Sequence, residues 1–334
     1  MKLNQGRSPL LRRGRGGIRS HRAPASPLGL TIRVRSDVVL VLVLAGCAPS
    51  DGARGVGDSD PAASDSGDAQ PTEWASVAVG GTQTCGIDVV GRTLCWGDDE
   101  WGDLTDTPDA TLVSIDLGER DACGLDSSGV ATCWGENLTG TYDNPPMGPL
   151  RAIDVGGIGA CALDSEGMLQ CLGTERGSAL EVPSGVFVEV SVGWVDACAL
   201  AESGELSCWG LNYYGEISTL PVGPFTSVTM AGMHGCGIHE DHSLECWGML
   251  SVGSPITWPE GEYSQVSAGN LHTCAIDLGG ALECWGDGSW GQLDGVPDGV
   301  YVAVAAGGVH TCAIDSSARM ECWGDNSHHQ LDVP

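Results

Sequence analysis

Fourteen of the fifteen cysteines in this 334-residue chain recur as seven pairs at one fixed spacing. The members of each pair lie ten positions apart, and successive pairs begin 38 positions apart, with a single interval of 37. The pairs are Cys85 with Cys95, Cys123 with Cys133, Cys161 with Cys171, Cys198 with Cys208, Cys236 with Cys246, Cys274 with Cys284 and Cys312 with Cys322. A period of this length indicates a repeat protein in which each copy is one supersecondary unit.

Each copy contains four short runs in which apolar and polar residues alternate. In the sixth copy these runs are 263–267, 274–277, 281–285 and 292–294, and glycine or polar residues separate them. Such runs are typical of β-strands, and four of them match one propeller blade. We therefore predict an all-β fold, a seven-bladed β-propeller with four-stranded antiparallel blades. An open solenoid is the alternative, although the first and last copies carry the full framework rather than capping variants.

Three segments also resemble a known family. They are Gly-Gly-Val-His-Thr-Cys-Ala-Ile at 307–314, Cys-Trp-Gly-Asp-Asn at 322–326 and Trp-Gly-Gln-Leu at 290–293. They resemble the repeats of the regulator-of-chromosome-condensation family, which forms seven-bladed propellers and includes a branch of secreted beta-lactamase inhibitors. The resemblance implies the fold but constrains function weakly, because family members act as nucleotide-exchange factors, inhibitors and adaptors.

The spacing within each pair also predicts how the cysteines are used. In the sixth copy a tight turn would place Ile276 opposite Leu282 and Cys274 opposite Cys284. Directly opposed residues of an antiparallel pair are close enough for a disulfide. We therefore predict seven disulfides within the blades, with free buried thiols as the alternative. A spacing of ten does not resemble that of a zinc site, and we predict neither metal nor cofactor.

The N-terminal region carries the pattern of an export signal. In residues 33–47 two arginines precede an apolar run that is too short to span a bilayer, and Leu-Ala-Gly-Cys follows at 44–47. This tetrapeptide matches the lipobox of bacterial lipoproteins, so Cys47 is the predicted lipidation site. A buried strand with a chance cysteine is the alternative.

Three segments follow from this assignment. We predict an N-terminal extension and signal peptide at 1–46, a lipid-anchored flexible acidic linker at 47–73 and the propeller at 74–334. The chain would then be exported to the bacterial cell envelope. The outer membrane is favoured because Ala48 is not the aspartate of inner-membrane retention.

Charge excludes several classes of partner. Beyond Cys47 the chain has six arginines, no lysine and 43 acidic residues, a formal charge of −37. This charge repels nucleic acids and anionic membranes, so the N-terminal lipid would be the only membrane contact, and basic protein surfaces are favoured. The chain also lacks a Gly-x-Ser-x-Gly elbow and a His-Glu-x-x-His helix, and we predict no catalytic residues and no enzymatic activity.

Variable loop residues are the candidates for binding. The loops between first and second strands and between third and fourth strands would emerge on one rim, where aromatic side chains are typical interface anchors. The candidate binding rim comprises Trp101, Trp194, Tyr214, Trp290, His234, His272, His310 and His328. As alternatives, Trp101 and Trp290 would pack on the neighbouring blade, and the first three histidines would form turn-stabilising hydrogen bonds rather than bind metal.

These observations favour an envelope lipoprotein that acts, as a monomer, as a scaffold for recognition of an exported or envelope protein. An inhibitor of a secreted or cell-wall enzyme, suggested by the family resemblance, is the first alternative. Glycan or peptidoglycan binding is the second. Guanine-nucleotide exchange is disfavoured because the lipobox would place the chain outside the cytoplasm.

Overall fold

The computed structural model describes residues 72–99, 107–137, 145–157, 159–173, 182–213, 215–218, 220–251 and 254–334. Within these residues the chain forms seven antiparallel sheets, one for each cysteine pair. The sheets are the blades of a β-propeller, numbered one to seven along the chain. None of the described residues forms a helix long and apolar enough to cross a membrane.

The strands follow the repeat in strict order. Blades one to three comprise β1 (Trp74–Val79), β2 (Gln83–Asp88), β3 (Thr93–Gly97), β4 (Leu112–Leu117), β5 (Asp121–Asp126), β6 (Ala131–Gly135), β7 (Leu150–Gly156), β8 (Gly159–Asp164) and β9 (Leu169–Gly173). Blades four and five comprise β10 (Phe187–Val192), β11 (Asp196–Ala201), β12 (Leu206–Gly210), β13 (Phe225–Met230), β14 (His234–His239), β15 (Leu244–Ser251) and β16 (Ser254–Pro255). Blades six and seven comprise β17 (Tyr263–Ala268), β18 (His272–Asp277), β19 (Leu282–Gly286), β20 (Tyr301–Ala306), β21 (His310–Asp315) and β22 (Met320–Gly324).

The prediction of four-stranded blades is wrong for blades four, six and seven, where the described residues after the third strand form no fourth strand. In blades one to three the corresponding segments, 100–106, 138–144 and 174–181, lie outside the described residues. The fourth segment of blade six is instead a turn. The Gln292 side-chain oxygen accepts the Trp290 N–H at 2.8 Å, and the Gln292 carbonyl accepts the indole N–H of Trp323 at 2.9 Å. Side chains thus pair with backbone N–H and C=O groups that a strand would pair with its neighbour. Through the Trp323 indole, the turn of blade six also contacts blade seven.

The ring is closed by the same contacts that join consecutive blades. The Phe225 N–H at the start of β13 donates to the Gly204 carbonyl of the preceding blade at 2.9 Å. The equivalent bond between blades one and seven runs from the Trp74 N–H to the Ala318 carbonyl at 2.7 Å. The Trp96 indole N–H also donates to the Gln330 carbonyl at 2.9 Å. Closure therefore needs no exchange of a terminal strand.

The hydrophobic core is divided among the blade interfaces. Each of the seven pairs of neighbouring blades encloses its own cluster of buried side chains in the described part of the chain. Between blades seven and one, Trp74 and Val77 pack against Ala303, Ile314 and Met320. A single blade therefore cannot bury its faces alone, and the ring is the unit of stability.

The predicted disulfides are confirmed. All seven cysteine pairs are bonded within their own blades, with Cα atoms 4.0–4.1 Å apart. In blade six Cys274 lies opposite Cys284 and Ile276 opposite Leu282, which is the predicted register. The other bonded pairs are Cys85 with Cys95, Cys123 with Cys133, Cys161 with Cys171, Cys198 with Cys208, Cys236 with Cys246 and Cys312 with Cys322.

The two cysteines of a bridge differ in burial. All seven first cysteines, on the middle strands, are buried. Of the second cysteines, on the third strands, Cys246 is buried, and the other six are only partly buried: Cys95, Cys133, Cys171, Cys208, Cys284 and Cys322. The alternative of free, fully buried thiols therefore does not describe the third strands. Each bridge contributes about 2.5–3 kcal/mol in the chain-entropy model. Seven disulfides are typical of a protein that folds in an oxidising, extracellular compartment.

Candidate binding rim and axial channel

Two sets of loops lie together on one face of the ring, which we call the upper rim. They are the loops between the first and second strands and the segments that follow the third strands. In blade six the Asp287 N–H donates to the Leu271 carbonyl at 2.9 Å, and in blade seven the Asp325 N–H donates to the Val309 carbonyl at 3.1 Å. The same bond recurs in blades one, two, four and five. The lower rim, opposite, carries the hairpin turns between second and third strands.

Three of the predicted rim residues lie at the upper rim and are accessible. Trp194 is 43% exposed and Trp290 57%, and 45% of the His328 side chain is exposed. They belong to blades four, six and seven, and no ring contact joins them in the described part of the chain. Trp101 and Tyr214 lie outside the described residues.

The remaining histidines are not on the rim surface, so that prediction is wrong. His234, His272 and His310 are 0% exposed, because their rings point into the blade interfaces. Each Nε2 lies 2.7 Å from a threonine hydroxyl of the next blade. The pairs are His234 with Thr273, His272 with Thr311 and His310 with Thr84. These histidines hold neighbouring blades together rather than contacting a ligand.

Their burial also fixes their charge. Removal from water lowers the pKa of His234 and His310 to about 3 and that of His272 to about 4, so all three are neutral at physiological pH. The Thr84 hydroxyl donates to the Gln330 carbonyl at 3.1 Å. The hydroxyl therefore accepts from His310, whose proton is on Nε2.

Blade four has an acidic pair where blades five to seven have histidine. Asp196 occupies the histidine position of the repeat, and Gly235 stands where the partner threonine would be. Asp196 instead pairs with Glu216, and both residues are 0% exposed. Burial, with the added effect of the Glu216 carboxyl, raises the pKa of Asp196 to about 8. Asp196 is therefore mainly protonated at neutral pH.

The upper rim surrounds an axial channel whose mouth alternates between glycine and larger residues. Four positions before each first cysteine stand, in order, Gly81, Glu119, Gly157, Trp194, Gly232, Asn270 and Gly308. Each larger side chain or its backbone lies against the glycine of the preceding blade. A Cβ on Gly157 would collide with the Trp194 indole, and one on Gly232 with the Asn270 amide. Three side chains from alternate blades therefore project at the mouth.

Two cavities lie along the axis. The upper one, of about 390 Å³, is bordered by loops of all seven blades, including Glu119, Trp194 and Asn270. The lower one, of about 70 Å³, is bordered by Asp116, Asp154 and strand residues of all seven blades. The channel mouth is thus a glycine-lined basin with one indole, one carboxylate, one amide and one guanidinium, that of Arg120.

Glu119, Asn270 and the Asp196–Glu216 pair were not among the residues predicted from the sequence. The alternation of glycine with larger residues at one repeat position was the available signal for the first two. Nothing in the sequence marked the pair, because its members are twenty positions apart and meet only within the folded blade.

Two segments of the chain match a known repeat family. Residues 187–216 and 301–330, in blades four and seven, match the model of the regulator of chromosome condensation (RCC1) repeat. Two of the seven blades are therefore similar to RCC1 repeats. No curated protein matches the chain.

Three similar solved structures come from eukaryotes. The ectodomain of the Physcomitrella patens receptor kinase CR4 is 26% identical with a TM-score of 0.64, over 75% of this chain and 72% of that one. The CRINKLY WD40 ectodomain of the Arabidopsis thaliana receptor kinase ACR4 is 21% identical with a TM-score of 0.62, over 79% and 100%. Prp20p from Saccharomyces cerevisiae is 18% identical with a TM-score of 0.60, over 78% and 84%. These likenesses support the RCC1-type propeller fold.

Proposed function

We propose that this chain is an exported, lipid-anchored protein that recognises another exported or envelope protein through its upper rim. The observation that carries the proposal is the channel mouth, where Trp194 is 43% exposed beside Glu119 and Asn270. Partly exposed indoles beside polar groups are typical of interface anchors. Prp20p, a similar propeller, binds Gsp1p and histones, so this fold can present a protein-binding face.

The path of the chain supports this orientation. β1 begins at the lower rim, where the Trp74 N–H meets the Ala318 carbonyl of a hairpin turn. A tether that ends at Cys47 would thus join the propeller on the face away from the channel mouth. The upper rim would remain available to a partner while the lipid holds the protein at a membrane. Cys47 itself lies outside the described residues.

The proposal is tested by capture of partners from envelope extracts with the purified oxidised protein. We expect Trp194→Ala and Trp290→Ala together to abolish capture of a protein that wild type retains. Leu278→Ala is the matched control, because this side chain is 52% exposed and lies in a lower-rim turn. Capture that survives the double substitution, or is lost equally in the control, would place the binding surface elsewhere. Retention of glycan in place of protein would overturn protein recognition.

The anchor has a separate test. Cys47→Ala should move the protein from the membrane fraction to the soluble fraction and remove the lipid mass from its N-terminal peptide. Membrane association that persists in the Cys47→Ala variant would refute lipidation at this residue.

A further inference from the structure

The axial channel is layered from the upper rim downwards. At the mouth stand Glu119, Trp194 and Asn270, and Glu119 and Asn270 are exposed. Below them lies an aliphatic constriction formed by the last residues of first strands. Residues that border both cavities are Val79, Leu117, Val192, Met230, Ala268 and Ala306. The upper and lower cavities therefore share an apolar wall.

Two carboxylates lie below this wall. Asp116 and Asp154 border the lower cavity and are 4% and 7% exposed. Asp116 Oδ2 accepts the Val155 N–H at 2.5 Å, and Asp154 Oδ1 accepts the Val192 N–H at 2.9 Å. These bonds fix both side chains between blades. A carboxylate side chain has two oxygens, and an ammonium or guanidinium head carries several N–H donors, so the two groups are complementary.

We propose that the channel receives one lysine or arginine side chain from a protruding loop of the partner. The proposal rests on the proposed function, because it names the chemistry of the partner at that rim. The aliphatic stem of the inserted side chain would lie in the apolar constriction, and its charged head would meet Asp116 and Asp154. Trp194 and Glu119 would contact the basic loop at the mouth. Four of the seven mouth positions are glycine, which leaves the main chain of the loop room to approach.

Overall charge favours the same ligand. The −37 formal charge beyond Cys47 attracts cations towards the whole propeller. Arg120, the cation that borders the upper cavity, donates to Glu136 Oε2 at 2.9 Å, which directs its charge towards the third-strand segment of its own blade. An acidic or phosphorylated loop would therefore be repelled.

Short peptides test this inference without the natural partner. The full-length oxidised chain, labelled with ¹⁵N-tryptophan, is titrated with acetyl-Gly-Lys-Gly-amide and acetyl-Gly-Arg-Gly-amide, and the Trp194 indole signal is assigned with Trp194→Phe. The norleucine peptide, which keeps the stem and lacks the charge, is the ligand control. We expect the basic peptides to shift the Trp194 signal and the norleucine peptide to leave it in place.

Substitutions of the channel carboxylates test where the charged head of the inserted side chain binds. Asp116→Asn and Asp154→Asn keep the oxygen that accepts the backbone N–H, and each should weaken binding about tenfold, the loss of one charge-assisted hydrogen bond. Glu240→Gln, at an exposed lower-rim turn, is the matched control for net charge and should bind as wild type. If either channel variant fails to fold, Glu119→Gln at the exposed mouth should still weaken binding.

The outcomes separate this inference from the proposed function. Equal binding of norleucine and lysine peptides, or unchanged binding in the folded channel variants, would overturn axial insertion. Partner capture that is lost with the tryptophans but insensitive to Asp116→Asn and Asp154→Asn would leave rim recognition standing alone. If basic peptides bind but no protein is captured from extracts, the axial site is supported and the proposed function is refuted. Binding of a saccharide at Trp194 with an affinity that does not change with salt concentration would contradict a cation site.

Discussion

Substitution of Asp196 by asparagine should stabilise the protein at neutral pH. The Asp196 carboxyl is fully buried beside Glu216, and burial raises its pKa from 3.8 to about 8. The folded chain therefore holds a proton that the unfolded chain releases, and stability falls as pH rises between these two values. Asparagine replaces the protonated acid with a neutral group of the same shape, which keeps a donor towards Glu216.

The magnitude follows from the shift in the pKa of Asp196. Each pKa unit corresponds to about 1.4 kcal/mol, so protonation of Asp196 costs the folded state about 4 kcal/mol at pH 7. Between pH 6.5 and pH 8 this group alone should lower the wild-type free energy of unfolding by about 1.5 kcal/mol. The three buried histidines act in the opposite direction near pH 6.5, because their pKa values are lowered and the unfolded imidazoles still bind protons there. Both proteins contain them, so the difference between wild type and Asp196→Asn isolates the carboxyl.

The assay is equilibrium unfolding in urea under non-reducing conditions at several pH values from 6.5 to 8. Asp196→Asn should raise the free energy of unfolding at pH 7, and its advantage over wild type should widen as pH rises. Asp121→Asn is the matched control, since it occupies the same repeat position in blade two and is only half-buried. Glu216→Gln should reduce the pH dependence without abolishing it, because burial alone still raises the pKa of Asp196. Parallel pH profiles of wild type and Asp196→Asn would refute the assignment of the proton to this residue.

Three further measurements test other parts of the structure. His310→Ala should lower the free energy of unfolding by about 2–3 kcal/mol, through the lost inter-blade hydrogen bond and the cavity that remains, and an unchanged urea midpoint would contradict its role at the interface. His242→Gly should raise thermal stability by about 1 kcal/mol, because His242 has φ of 68° and is exposed, and a lower melting temperature by calorimetry would show that its side chain has a stabilising contact. Replacement of Cys274 and Cys284 together by alanine should cost about 2.5–3 kcal/mol, and equal urea midpoints for variant and wild type would exclude the bridge as a source of stability.

Local patterns in the sequence determined the ring and its disulfides. Alternation at period two fixed which residues face each other across a hairpin, so Cys274 could be paired with Cys284 from spacing alone. Seven copies of one unit then required stacking, because a single blade has no partner for its faces. The fourth run of the sixth copy was predicted wrongly. Around Gln292 the side chains hydrogen-bond the local main chain, and a turn forms where alternation predicted a strand.

Only the tertiary structure decided which loop residues face solvent. Trp194 is two positions before Asp196, and the same two-residue offset separates Asn270 from His272, yet the first of each pair borders the open channel and the second is buried. The buried side chain meets a distant partner: His272 meets Thr311 of the next blade, and Asp196 meets Glu216 of its own blade. Such contacts form only when neighbouring blades stack or the blade itself folds. The repeat pattern therefore determined the scaffold, and the packing of the folded blades determined the channel and its exposed side chains.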